Sequence, residues 1–139
     1  MARVLIVDDN LMMAEMLSVV VKYHGHETLV AYGGQEALDI IKAESLDIVF
    51  LDLMMPDING LETLLRLRSM PQGRELPVIV ITAREEKGLE ERVVSAGGNG
   101  FLQKPVDGRT LADIIVAHTN GSRQFSKVDG LALQTTIRT

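Results

Sequence analysis

The sequence predicts an α/β fold of the doubly wound class, an open parallel sheet with helices on both faces. Two observations predict it. Short apolar runs and helix-patterned stretches alternate five times along the 139 residues, the pattern of a parallel sheet with right-handed crossovers. Those runs also close on polar residues, where ligands bind in such sheets, just beyond the carboxyl ends of the strands.

Ile48-Val49-Phe50-Leu51 leading into Asp52 is the pivotal run. A central parallel strand is covered on both faces and so reads as continuous hydrophobicity. A carboxylate at its end is either a cap for the following loop or a working group, and the other strand ends decide between them. Val4-Leu5-Ile6-Val7 ends in Asp8-Asp9-Asn10. Pro77-Val78-Ile79-Val80-Ile81 ends in Thr82, and Phe101-Leu102-Gln103 ends in Lys104-Pro105.

The intervening stretches read as helices. From Leu11 to Tyr23 the residues Met12, Met13, Met16, Leu17, Val19, Val20 and Tyr23 recur at helical spacing, with Gly25 as the stop. This predicts that the methionines fill core space. His26 to Ala31 reads as a short strand, and Gly33-Gly34 opens a helix through Ala43. His24 and His26 flank a glycine without a third ligand nearby and read as surface residues. Leu61 to about Met70 predicts a helix with Leu61, Leu64, Leu65 and Leu67 inward and Glu62, Arg66 and Arg68 solvated. Glu85 to Ser95 predicts a weakly anchored helix with few apolar positions, Leu89, Val93 and Val94. Gly97-Gly98-Asn99-Gly100 then precedes the last short strand. A final helix from Gly108 to His118 carries Leu111, Ile114 and Ile115 as its stripe.

Composition narrows the class. A hydrophobic content of 46% with three Phe, two Tyr and no Trp suits an aliphatic core and one domain. The net charge of −5 gives no basic face for direct nucleic-acid binding. The absence of cysteine excludes disulfides, thiolate metal sites and thiol catalysis. The amino terminus meets Asp8 and Asp9 too soon for a signal peptide or membrane span, so a soluble cytoplasmic chain is expected. Residues 120–139 are polar with scattered apolar positions, and carry Arg123, Lys127 and Arg138 against Asp129. They read as a tail, linker stub or partner-contacting arm beyond a domain of residues 1–119.

Parallel strands would bring Asp8, Asp9, Asp52, Thr82 and Lys104 to one edge of the sheet. Clustered carboxylates repel, and a hard divalent cation such as Mg²⁺ is the usual remedy. A metal, a nucleophilic carboxylate, a hydroxyl and an ammonium together suit phosphoryl transfer to aspartate.

These motifs, Val-Asp-Asp-Asn at 7–10, Leu-Asp-Leu-Met-Met-Pro-Asp at 51–57 followed by Gly60, Thr82-Ala83 and Lys104-Pro105, resemble those of response-regulator receiver domains of two-component signalling. The match spans residues 3 to about 118. The resemblance implies a flavodoxin-like five-stranded parallel sheet of order 2-1-3-4-5. It implies that Asp52 accepts a phosphoryl group from a histidine kinase or phosphotransfer protein. Asp8, Asp9, Asp52 and the Met54 carbonyl would hold Mg²⁺. Thr82 and Lys104 would contact the phosphoryl group, and Thr82 and Phe101 would switch, within a cis peptide setting at Lys104-Pro105. The chain would then be a phosphoacceptor switch rather than an enzyme. Its output would pass to a downstream effector through the 85–95 helix, the fifth strand and the last helix, with homodimerisation open and no membrane contact. Met54, two residues after Asp52, cannot orient an attacking water by hydrogen bonding, and Arg84, two after Thr82, is bulky and charged. Both are expected to alter the lifetime of the phosphorylated state.

A receiver-like docking module that is never phosphorylated is the alternative, but it has no need of all five groups. An aspartyl phosphatase would place a second acid two residues past the nucleophile, where Met54 stands. A flavin protein would need a phosphate-cradling loop after the first strand.

Overall fold

The computed structural model describes residues 1–83, 86–121, 124–129 and 132–136. Strands β1 (Arg3–Val7), β2 (Glu27–Ala31), β3 (Ile48–Asp52), β4 (Val78–Thr82) and β5 (Gly100–Gln103) alternate with helices α1 (Leu11–Tyr23), α2 (Gly34–Ala43), α3 (Gly60–Arg68), α4 (Leu89–Ser95) and α5 (Gly108–Thr119). The five strands pair in parallel in the order 2-1-3-4-5, as expected. This is the flavodoxin-like arrangement, and it makes β1 and β3 neighbours at the point where the strand order reverses.

Period-two alternation assigns the strand side chains to two cores. Leu5, Val7, Val49, Leu51, Val78, Val80 and Phe101 face one side and pack with residues of α2, α3 and α4. Val4, Ile6, Ile48, Phe50, Ile79, Ile81 and Leu102 face the other and pack with α1 and α5. All residues of β3 and β4 are buried, which is why these segments read as continuous apolar runs. Burial of a Leu or Ile contributes about 1.5–3 kcal/mol each, so the two central strands anchor everything attached to their ends. No helix among the described residues is long and apolar enough to cross a membrane.

Helix starts follow from the strand-end loops. Asn10, Asn59 and Asp107 each accept a hydrogen bond from a backbone N–H of the first turn, those of Met13, Glu62 and Thr110. Helix α2 lacks such a cap of its own. Asp57, from the loop after β3, supplies it by accepting from the N–H groups of Gly34 at 3.1 Å and Gln35 at 3.2 Å.

Three expectations are corrected. Met12 and Met16 do not fill the core of α1; together with Val19 and Tyr23 they are exposed, between 53% and 86%. The buried face is Ala14, Leu17, Ser18 and Val21. Met12, Met16, Val19 and Tyr23 form a second stripe at helical spacing, on the side of α1 turned away from that buried face. Leu65 is exposed as well, since Leu64 and Leu67 already define the inner line of α3.

Arg68 is not solvated. Its guanidinium donates to the carbonyls of Gly73, Leu76 and Gly97 and to Asn99 Oδ1, at 2.6–3.1 Å. The same Asn99 oxygen accepts from Val78 N–H at 2.9 Å. Arg68 thus ties the end of α3 to the entrances of β4 and β5, a use of all the guanidinium edges that lysine could not reproduce. Burial pulls its pKa down.

The segment after Asn120 extends the sheet. Strand β6 (Phe125–Asp129) pairs in parallel with β5, and β7 (Ala132–Thr136) pairs antiparallel with β6. Among the described residues the sheet therefore has seven strands, with the predicted five as its core. His118, near the end of α5, is buried, and its Nε2 lies 2.9 Å from Ser126 Oγ.

His118 gives a pH prediction. Burial lowers its pKa from the ordinary 6.5, and Nδ1 has no partner among the described residues. His26, whose Nδ1 accepts the Ala2 N–H at 3.0 Å, is lowered too, first by burial and then by the nearby N-terminus and His24. A histidine with a lowered folded pKa binds its proton more readily when unfolded. Its contribution is complete above pH 6.5 and is lost as pH falls through the folded value. The urea midpoint should therefore fall on acidification below 6.5, and His118→Gln should reduce that slope; a midpoint that rises with acid contradicts this.

Candidate phosphoacceptor site

The site lies at the carboxyl ends of β1, β3, β4 and β5. Asp8, directly after β1, is 2% exposed, whereas Asp9 beside it is solvent-facing. Asp8 Oδ1 accepts the Asn10 N–H at 2.9 Å. Asp52 closes β3 and is 7% exposed, and its Oδ1 accepts the Met54 N–H at 3.0 Å. Both aspartates therefore fold their own loops back as Asx turns, which fixes one oxygen and leaves the other to face the cleft.

Lys104 follows directly on the end of β5. Its Nζ lies 3.2 Å from Asp8 Oδ2 and 3.2 Å from Asp52 Oδ2. The Lys104-Pro105 peptide is cis, and Lys104 N–H donates to the Thr82 carbonyl at 2.9 Å. Thr82, the last residue of β4, is fully buried at the same edge.

Electrostatics follow from burial. Desolvation pushes the Asp52 carboxyl above the usual carboxylate value, and neighbouring Asp8 adds to this. The Met54 N–H and Lys104 pull the other way without cancelling it. For Lys104, burial would lower the pKa, but the charges of Asp52 and Asp8 outweigh it and the ammonium is held more firmly protonated.

The donor set fits a divalent cation. Asp8, Asp9 and Asp52 each offer a carboxylate oxygen, and these atoms lie within 4.8 Å of one another. Lys104 offsets one of the three negative charges, leaving an excess that suits an oxygen-seeking dication.

Glycine fixes the loop behind Asp52. A Cβ at Gly60 would lie 2.5 Å from the Asp52 carbonyl oxygen and 2.6 Å from Leu53 Cα. Helix α3 can start here only without a side chain, and Gly60 N–H donates to Leu53 O at 3.0 Å. Phe101 is buried, turned into the core with Leu89 and Val93. Met54 is 56% exposed at the rim. Arg84 lies outside the described residues.

Residues 4–116 match the family model of the response regulator receiver domain. The chain belongs to the response-regulator receiver family. Among curated relatives, this receiver is 41% identical over 105 residues to response regulator MprA of Mycolicibacterium vanbaalenii, covering 74% of this chain and 44% of that protein. It is 32% identical to Protein PilH of Pseudomonas aeruginosa, covering 84% of this chain and 97% of PilH. The receiver therefore spans less than half the length of MprA but nearly all of PilH. Among solved structures, the Francisella response regulator 1452 receiver domain superposes with a TM-score of 0.80 at 28% identity, covering 86% of this chain and 98% of that one. A response regulator from Chloroflexus aurantiacus gives 0.77 at 31% identity, covering 85% and 96%.

Sequence reasoning missed Asp57 as the cap of α2 and Arg68 as a tie between loops. The helix-opening glycines before Gln35 were a signal for the first. Three of the four acceptors of Arg68 are backbone carbonyls, which leave no mark in sequence, and the fourth, Asn99 Oδ1, lies 31 residues away.

Proposed function

We propose that Asp52 is the phosphoacceptor of a two-component switch. The observation that carries this reading is the placement of Asp52 Oδ2 and Asp8 Oδ2 at equal distance from Lys104 Nζ, inside a group of three carboxylates at adjacent strand ends.

Asp52 attacks the phosphorus of a phosphohistidine. An oxygen–phosphorus bond forms at the carboxylate, the nitrogen–phosphorus bond breaks, and the donor imidazole keeps the electron pair. Lys104 exchanges its contact with Asp52 for one with the phosphoryl oxygens, and the Thr82 hydroxyl donates to another. The Asp52 carboxylate is already desolvated and oriented by the Met54 N–H, so little reorganisation precedes attack. Asp8, Asp9, Asp52 and the Met54 carbonyl would hold Mg²⁺, which when bound neutralises charge on the transferring group.

The donor is a histidine kinase or phosphotransfer protein. The exposed line of Met12, Met16, Val19 and Tyr23 on α1 starts beside Asp9 and supports a protein as that donor. Output passes to an effector in the cytoplasm through Thr82, Phe101, α4, β5 and α5, as one of the order-changing transitions that phosphorylation drives.

Beryllofluoride, which mimics an aspartyl phosphate, tests the assignment. With Mg²⁺ it should raise the melting temperature by several degrees, about 1–3 kcal/mol of linkage. Asp52→Asn should show no rise. An equal rise in both proteins would sink Asp52 as the acceptor.

A further inference from the structure

Strand β6 covers the β5 edge with contacts to three elements. Its backbone pairs Gly100 with Ser126 and Phe101 with Lys127. Phe125 is buried in the same core cluster as Phe101, Leu89 and Val93. Ser126 meets His118 of α5, and Lys127 Nζ lies 2.7 Å from Glu90 of α4. The sequence also makes room for it, because a Cβ at Gly100 would lie 2.9 Å from Ser126 O.

We propose that residues 124–129 are a releasable cover on the α4–β5–α5 face, displaced when Asp52 carries a phosphoryl group. The inference rests on the phosphoacceptor reading above. Strand β5 links the two ends physically: it runs directly into Lys104 at the site, and its Phe101 shares a packed cluster with Phe125. A new phosphoryl partner for Lys104 and Thr82 pulls on the end of β5. Rotation of Phe101 or a shift of α4 then removes the packing under Phe125 and separates Glu90 from Lys127. The cover pairs with β5 over three residues and with β7, and Phe125, Ser126 and Lys127 tie it to α4 and α5. It lies outside the five-stranded core, whose β3 and β4 are buried along their whole length, so it is the part of the sheet that opens first. Its departure leaves the β5 edge open.

The chain has no cysteine, so Ser126→Cys supplies a single thiol at a position 6% exposed. Its reaction rate with a maleimide probe is measured before and after treatment with acetyl phosphate and Mg²⁺, with phosphoryl occupancy read by intact mass. Labelling should accelerate at least ~10-fold in the phosphorylated chain, reflecting a larger open population. Amide exchange across the β5–β6 pairing should accelerate in the same way in the unsubstituted chain. Lys127→Ala should speed labelling without phosphorylation while leaving phosphoryl gain unchanged. Full occupancy with unchanged labelling and unchanged exchange would overturn the cover and leave the phosphoacceptor reading intact. Failure to gain a phosphoryl group would instead overturn the reading on which the cover depends.

Discussion

Lys104→Met is expected to slow phosphoryl gain from acetyl phosphate by at least tenfold and to destabilise the unliganded fold at neutral pH. Lys104 Nζ is the shared partner of Asp8 and Asp52 at 3.2 Å each, and both carboxylates are nearly fully buried. Removing one partner of a buried charge cluster costs about 3–5 kcal/mol in dry surroundings. The Lys104 side chain is 19% exposed, so water screens part of this and a loss of about 1–3 kcal/mol is expected. Mg²⁺ should bind the variant more tightly, because the dication becomes the sole counter-charge. Titration calorimetry and urea unfolding check both signs; weaker Mg²⁺ binding together with unchanged stability would contradict the role given to Lys104.

Gly60→Ala should impair both stability and the site. Intrinsic helix propensity favours alanine by about 1 kcal/mol. The added Cβ, however, meets backbone atoms of Asp52 and Leu53 at 2.5 and 2.6 Å, and backbone cannot rotate away. Overpacking of this kind costs about 1–3 kcal/mol, so the clash outweighs propensity and the net effect is a loss. Because the displaced atoms belong to Asp52 itself, phosphoryl gain should slow as well. A variant with raised stability and unaltered phosphoryl gain would show that α3 has more room than the geometry allows.

Much of this was legible because it is local. A run such as Ile48 to Leu51 is buried on both faces wherever it occurs in a parallel sheet, and the acids, hydroxyl and lysine at the run ends are fixed to the sheet edge by chain direction alone. Asp8, Asp9, Asp52, Thr82 and Lys104 therefore converged from order and spacing. What stayed hidden depends on relations that a pattern does not carry. Met12, Met16, Val19 and Tyr23 satisfy helical periodicity as well as Leu17 and Val21 do, and only the docking of α1 on the sheet selects which of the two stripes is buried. Phe125-Ser126-Lys127 is too polar for a strand covered on both faces, so its place at the β5 edge was not visible. The space left by Gly100 and the buried partner on His118 belong to distant parts of the chain.

The central claim is that Asp52 is a Mg²⁺-assisted phosphoacceptor. It is tested most directly by incubation with acetyl phosphate, with and without Mg²⁺, followed by intact mass and peptide mapping. A gain of one phosphoryl group that needs Mg²⁺, maps to Asp52 and disappears in Asp52→Asn is the predicted result. A folded, Mg²⁺-supplied chain that gains nothing, or gains the group equally in Asp52→Asn, would contradict it.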